Sequence, residues 1–226
     1  MKALYTAFIH EYLMMGHMIE IKDDEDEPRH TFYTPHHAVM KPDSTTTKLR
    51  VVFDASCATD SGVSLNDALM VGLVVQRKLL SILIYFRLHK YAIVGDVEKM
   101  YSMINVILQD QPLLRILWRE SVDEPLRTYQ LTTVTYGTSS APYLATRCLK
   151  KCAEEGENTH PDTANVINNN FYVDDMLTGA HSTPPRRTAT DALMNEGKIL
   201  AALWKKPGKE NNPRMRILLQ STATSS

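Results

Sequence analysis

The chain has 226 residues, 43% hydrophobic and 23% charged, enough for one compact domain or two closely packed lobes. No apolar run approaches the roughly 18 residues of a membrane-spanning helix, and residues 1–6 do not begin a secretory signal. Three cysteines, an odd number, indicate a reducing compartment with free thiols. We therefore expect an intracellular, cytoplasmic protein that is neither secreted nor bound to a membrane.

The formal net charge of −1 is not typical of a stand-alone nucleic-acid-binding protein, which is usually basic. The charge is unevenly distributed, however. Residues 181–226 hold eight Lys or Arg against three Asp or Glu, a balance of +5 that leaves −6 for residues 1–180. The acidic run at 23–27 is predicted to be a solvated loop.

Hydrophobic spacing predicts the elements of the first half of the chain. A helix is expected over 2–15, ended by Gly16, and extended segments over 31–39 and 48–53. The next helix is expected over 74–86, with one apolar face formed by Val75, Leu79, Leu83 and Phe86.

The second half alternates short strands with one long helix. Strands are expected over 91–94, 115–118 and 128–135, and a helix over 140–153. Residues 171–177 combine an aromatic and β-branched stretch with two adjacent carboxylates, which is typical of a tight hairpin with an acidic tip.

Three carboxylates stand at strand ends in this pattern. Asp174 and Asp175 occupy the hairpin tip, and Asp96 follows a strand 78 residues before Asp174. Such oxygen ligands suit Mg²⁺, and two ions can activate a hydroxyl and stabilise a leaving pyrophosphate in one displacement. Adjacent Asp residues are also ordinary turn residues, and a strand-ending Asp is an ordinary helix cap. Because neighbouring strand residues face opposite ways, Asp174 and Asp175 are equivalent only if the turn re-aims one of them.

That chemistry is nucleotide polymerisation, and further segments, in a fixed order, strengthen this interpretation. They cover 36–43, 49–56, 64–67, 96–101, 115–120, 129–131, 134–142, 144–150 and 171–179. In this order they resemble the reverse transcriptase of BEL/Pao-type LTR retrotransposons, from about Tyr5 to about Gly179.

The resemblance implies an α+β fold, the fingers and palm of a right-hand polymerase, in which the palm has an antiparallel sheet and packed helices. The fingers-like region would comprise 1–88 and 104–141, and the palm-like catalytic region 89–103 and 142–180. Residues 181–226 would be a divergent basic tail, partly helical and then disordered. A thumb is absent from this prediction, so a second chain or further polyprotein segments are expected as partners.

The resemblance also implies an RNA-directed DNA polymerase that takes a primed RNA or DNA template and dNTPs, in the cytoplasm or in a virus-like particle. Asp96 and Asp174 would be the primary ligands of two Mg²⁺ ions, with Asp175 secondary and Mn²⁺ as a substitute metal. Tyr101 would lie beneath the sugar and exclude a 2′-hydroxyl. The full set implied to bind nucleotide is Arg50, Val97, Glu98, Tyr101, Tyr136 and Gly137, and the pair implied to support the primer is Tyr172 and Met176. Lys41 and Lys48 would assist Arg50, and neither is preferred over the other.

Ser102-Met103 departs from the family pattern, in which many relatives carry Arg-Gln, and puts one substrate contact in doubt. A noncatalytic remnant that binds nucleic acid is the main alternative. An aspartic peptidase is a weaker one, because Asp60-Ser61-Gly62 matches the short motif but stands in a turn-rich stretch. Cys148 and Cys152 with His160 could suggest zinc, but a fourth ligand at suitable spacing is missing, which favours buried helix cysteines.

Overall fold

The computed structural model describes residues 1–22, 30–41, 43, 49–180 and, for the backbone, 215–218. Contacts divide the chain into two compact units, Met1–Gly72 with Ile104–Ala141 and Leu73–Met103 with Pro142–Ser226. Residues 73–88, which the sequence assigned to the fingers-like region, belong to the second of these units. The predicted tail of 181–226 lies outside the described residues, apart from 215–218.

The first unit contains two antiparallel sheets and an N-terminal helix. Helix α1 (Lys2–Met14) turns Tyr5 and Ile9, four positions apart, into the core. The three-stranded sheet has the order β1–β6–β5, and β2 pairs with β3. The bounds are Met18–Ile21 for β1, His36–Met40 for β2, Leu49–Phe53 for β3, Arg115–Trp118 for β5 and Arg127–Leu131 for β6, with a short helix α2 at Leu65–Ala68.

The core of the first unit follows the period of two expected for strands. Leu49, Val51 and Phe53 of β3 are buried, while Arg50 between them is exposed. Trp118 stacks on Tyr5, with ring centroids 4.9 Å apart, and packs against the same cluster. The N-cap of α2 is Ser64, whose side chain and amide complete a capping box with Asp67.

The second unit is a four-stranded antiparallel sheet with helices α3 (Leu79–Arg87) and α5 (Pro161–Asn170) packed against it. The strand order is β7–β8–β4–β9. The bounds are Tyr91–Val97 for β4, Phe171–Tyr172 for β7, Asp175–Ala180 for β8 and Met215–Leu218 for β9, and helix α4 spans Ala141–Gly156. In β4 the buried residues are Ile93, Gly95 and Val97.

The predicted mixture of helices with antiparallel sheet is confirmed. The helix predicted over 74–86 was wrong in its start and in its face. It begins at Leu79, and its buried residue is Ile82 rather than Leu83. Val74 and Val75 lose side-chain freedom in a helix, and no side chain caps this end, so the helix begins only after Lys78.

Two further elements differ from the prediction. The strand predicted over 128–135 ends at Leu131, and beyond it Val134 donates its amide to the Ile104 carbonyl, outside this sheet. Helix α5 was not predicted. Its buried residues, Thr163, Ala164 and Ile167, form too weak an apolar pattern.

Among the residues that the structure describes, none of the helices combines the length and apolarity needed to cross a membrane.

Candidate metal centre and nucleotide site

Three carboxylates meet at one end of the sheet in the second unit. Asp96 of β4 lies opposite Asp175 of β8 in the antiparallel register, and Asp174 occupies the turn before β8. One oxygen from each of the three lies within 4.8 Å of the others, and none of the three residues is buried. Within the described part of the chain, this is the one group of three or more His, Cys, Asp or Glu residues close enough to hold a metal ion.

The geometry of the turn explains how two adjacent aspartates can face the same site. Tyr172 pairs with Asp175, so only Val173 and Asp174 form the loop of the hairpin. Asp175 is already a strand residue, whereas Asp174 follows a residue with φ of +56°. The reversal of the chain therefore re-aims Asp174, so that consecutive carboxylates converge instead of pointing to opposite faces.

Residues with strained backbone lie close to the carboxylates in the chain. Among the described residues, Val173 and Lys99 are the two non-glycine residues with positive φ, at +56° and +55°. Val173 directly precedes Asp174, and Lys99 stands three positions after Asp96. Strained backbone of this kind persists only where the surroundings enforce it, and it concentrates at active sites.

The electrostatics of the cluster favour a bound cation. Partial burial and then the charge of Asp174 raise the pKa of Asp175. The pKa of the Tyr101 hydroxyl is likewise raised, first by burial and then by Asp174. A divalent cation would relieve the repulsion between the carboxylates and, with three oxygen donors already convergent, the donor set fits Mg²⁺.

The other predicted residues of the second unit lie close to these carboxylates in the chain. Tyr101 is buried in the single turn of 3₁₀-helix Tyr101–Met103. Val97 is buried, and its amide donates to the Asp174 carbonyl at 3.0 Å, which ties the end of β4 to the turn. Met176 is buried, whereas Tyr172 and Glu98 are exposed.

A second group of predicted residues meets in the first unit. The guanidinium of Arg50 lies over the ring of Tyr136, with Cζ 5.3 Å from the ring centroid. Gly137 has φ of +104°, and a Cβ there would overlap the backbone oxygen of Phe53. The close approach of two backbones thus requires glycine at this position.

Sequence reasoning missed the residue that fixes this loop. Asn66 donates through Nδ2 to the Gly137 carbonyl and to the Ser56 hydroxyl, both at 2.9 Å, and its Oδ1 accepts from the Ser139 amide at 2.7 Å. The segment Ser64–Asp67 was noticed only as part of a motif. An Asn just after the N-cap of a short helix was the available signal, because its side chain is free to bond another backbone.

Among the residues that the structure describes, the remaining predicted ones belong to neither of these two groups. Asp60 is exposed, in a turn closed by hydrogen bonds between Thr59 and Val63. Lys41 is exposed, and Lys48 lies outside the described residues. Cys152 is half-buried, and burial, followed by the charges of Cys148 and Glu155, raises its thiol pKa to about 11.

Comparison with known proteins gives a structural likeness. No family model matches the chain, and no curated protein is similar in sequence. Among solved structures, the chain is similar to the protease–reverse transcriptase of prototype foamy virus (a CSH mutant), with a TM-score of 0.62 and 18% sequence identity. The likeness covers 89% of this chain but only 22% of that protein. The chain therefore has the fold of part of a retroviral enzyme, spanning about a fifth of its length.

Proposed function

We propose that the chain is the fingers and palm part of a reverse transcriptase from a BEL/Pao-type retrotransposon, an RNA-directed DNA polymerase. The observation that carries the proposal is the convergence of Asp96, Asp174 and Asp175 at a strained hairpin turn. The likeness to part of a retroviral protease–reverse transcriptase supports it independently of that cluster. The substrates would be dNTPs and a primed RNA or DNA template, inside the cell.

In this proposal the three carboxylates hold two Mg²⁺ ions, or Mn²⁺ in their place, with Asp96 and Asp174 as the primary ligands. Bound there, the ions supply charge stabilisation for the attacking primer hydroxyl and the leaving pyrophosphate. The residues of the chain hold the reactants. The Val97 amide fixes the turn by binding the Asp174 carbonyl, so the carboxylates are oriented before any substrate arrives.

Further residues of the chain would bind the nucleotide. Arg50, oriented by its stack on Tyr136, presents a planar guanidinium suited to a triphosphate. Gly137 would let the backbone approach the nucleotide closely. The buried ring of Tyr101 would exclude a 2′-hydroxyl and so favour deoxynucleotides, with Val97 and Glu98 near the triphosphate. Tyr172 and Met176 would support the primer end.

The experiment is primer extension on an RNA template with Mg²⁺ and dNTPs, comparing the parent chain with Asp174→Asn. The matched control is Asp123→Asn, which removes one charge from an exposed loop of the first unit. We expect extension by the parent and the control, and none by Asp174→Asn, while circular dichroism shows all three folded. Extension by Asp174→Asn at the parental rate would contradict the metal assignment.

The same experiment addresses the alternative, a catalytically inert remnant that binds nucleic acid. The negative balance of residues 1–180 weakens binding to phosphate backbones. If the folded parent does not extend a primer but binds RNA equally with and without Mg²⁺ and dNTPs, the remnant is the better interpretation.

A further inference from the structure

The hairpin turn between β7 and β8 contains a residue in an unfavourable backbone conformation. Val173 has φ of +56°, a conformation that costs a residue with a Cβ, and most of all a β-branched one. A two-residue hairpin with positive φ at its first central position normally carries glycine there. Contacts from outside the turn must therefore hold Val173 in place.

The side chain of Gln76 makes those contacts. The Val173 amide donates to Oε1 of Gln76 at 2.8 Å, and Nε2 of Gln76 donates to the Val173 carbonyl at 3.4 Å. One planar amide thus binds both polar backbone groups of the strained residue. Its orientation is fixed by chemistry, because the reversed amide would face donor with donor and acceptor with acceptor.

These two backbone groups need an outside partner. In the hairpin, Tyr172 pairs with Asp175, which leaves the amide and carbonyl of Val173 outside the ladder. The next residue is held from the other side, because the Asp174 carbonyl accepts from the Val97 amide at 3.0 Å. Hydrogen bonds from outside the turn therefore hold both of its central residues, one set from Gln76 before α3 and one from the end of β4.

We infer that Gln76 is a positioning residue for the metal centre: its amide keeps Val173 at positive φ and so directs the carboxylates of Asp174 and Asp175 toward Asp96. This inference rests on the proposed function. Without Gln76, Val173 relaxes toward negative φ, the turn changes type, and the adjacent carboxylates diverge as strand neighbours normally do. The sequence distance of 97 residues between Gln76 and Val173 explains why no local pattern revealed the contact.

The test compares Gln76→Met, which keeps the length of the side chain but removes both hydrogen bonds, with Asn170→Ala. The Asn170 side chain donates to the Leu177 carbonyl at 3.1 Å, so this control loses one amide contact to the same hairpin away from the turn. Each is made in the parent and in a Val173→Gly background, where glycine adopts positive φ without help.

Mn²⁺ is titrated into ¹⁵N-labelled protein, and paramagnetic broadening of the turn amides gives the dissociation constant. We expect Gln76→Met to weaken Mn²⁺ binding about 5- to 30-fold, the factor that the strain of one left-handed residue represents. The control, Asn170→Ala, should change the dissociation constant of Mn²⁺ less than about twofold. In the Val173→Gly background, Gln76→Met should have little effect. An equal loss in that background, or no loss in the parent, would overturn the inference.

Hydrogen exchange of the Val173 amide separates this inference from the proposed function. If the parent binds no Mn²⁺, the metal centre fails, but the exchange rate still decides the role of Gln76. Gln76→Met should expose the Val173 amide and accelerate its exchange, while Asn170→Ala leaves it unchanged. Protection that survives in Gln76→Met would overturn the inference whatever the metal does.

Discussion

The backbone of the loop that contains Gly137 is tightly constrained at that residue. Its φ of +104° lies in the region that side chains disfavour, and a Cβ would overlap the Phe53 oxygen. Asn66 holds the Gly137 carbonyl and the Ser139 amide, so the loop cannot shift to make room without breaking those hydrogen bonds. Gly137→Ala should therefore be strongly destabilising.

The cost has two parts. A residue with a Cβ loses about 1–2 kcal/mol in a left-handed conformation. Inserting an atom where no space exists costs about 1–3 kcal/mol more. We expect a total loss of about 2–5 kcal/mol, a large share of the roughly 5–15 kcal/mol by which folded domains are stable.

Gly62→Ala is the matched control, because Gly62 also belongs to the first unit and has φ of +77°, but nothing lies within 4 Å of its Cβ position. This variant carries only the conformational cost. Both substitutions reduce the entropy of the unfolded chain equally, and that contribution cancels in the comparison. The difference between the variants thus isolates the overlap with Phe53, about 1–3 kcal/mol.

Urea unfolding followed by the fluorescence of Trp118, in a Trp204→Phe background, reports on the first unit. Trp118 packs in the core of that unit, so its signal changes when the core opens. With a slope of about 2 kcal/mol per molar urea, the midpoint of Gly137→Ala should fall about 0.5–1.5 M below that of Gly62→Ala. Equal midpoints would refute the reasoning that a backbone contact, rather than the dihedral angle alone, requires glycine.

Three further outcomes are expected. Because burial raises the pKa of Cys152 to about 11, its thiol should react with iodoacetamide at pH 8 at least about tenfold more slowly than exposed Cys57, measured by mass spectrometry; equal rates would contradict the burial. If the proposed polymerase function is correct, Arg50→Lys should raise the KM for dNTP about tenfold because it loses the planar fork, whereas Tyr136→Phe, which keeps the ring, should not. Hydrogen bonds from the N-cap serine of α2 lower the pKa of Asp67, so the stability that they supply is present above the ordinary value of 3.8 and fades as the pH falls through the lowered one. Asp67→Asn should flatten that part of the thermal midpoint profile; an unchanged profile argues against the capping box.

Sequence patterns located the candidate metal centre because its residues are chemically conspicuous. Adjacent aspartates at a strand end and a third after another short strand are visible without coordinates, and the structure brings Asp96, Asp174 and Asp175 within 4.8 Å. The motif order contributed what spacing could not, namely which carboxylate 78 residues away belongs to the pair. The metal ions themselves stay a prediction.

The contacts that hold the site could not be predicted from the sequence, for a physical reason. Gln76 and Asn66 act through backbone groups of residues 97 and 71 positions away, and a backbone amide carries no sequence signal. A valine at positive φ runs against local preference, so propensity alone would have predicted an ordinary turn at Val173. Local rules fail here at the turn that carries Asp174 and leads directly into Asp175.

The strand that bears Asp96 has consequences for how the chain is made. Strand β4 pairs on one side with β8 and on the other with β9, whose residues are synthesised last of all these strands. Between Val97 and Leu218 the ribosome adds 121 residues, which takes about 6–24 s at roughly 5–20 residues per second. For that interval one side of β4 has no neighbour, and open strand edges recruit other chains. The nascent polypeptide is therefore vulnerable to aggregation at the strand that carries Asp96, and we expect chaperones to engage it there.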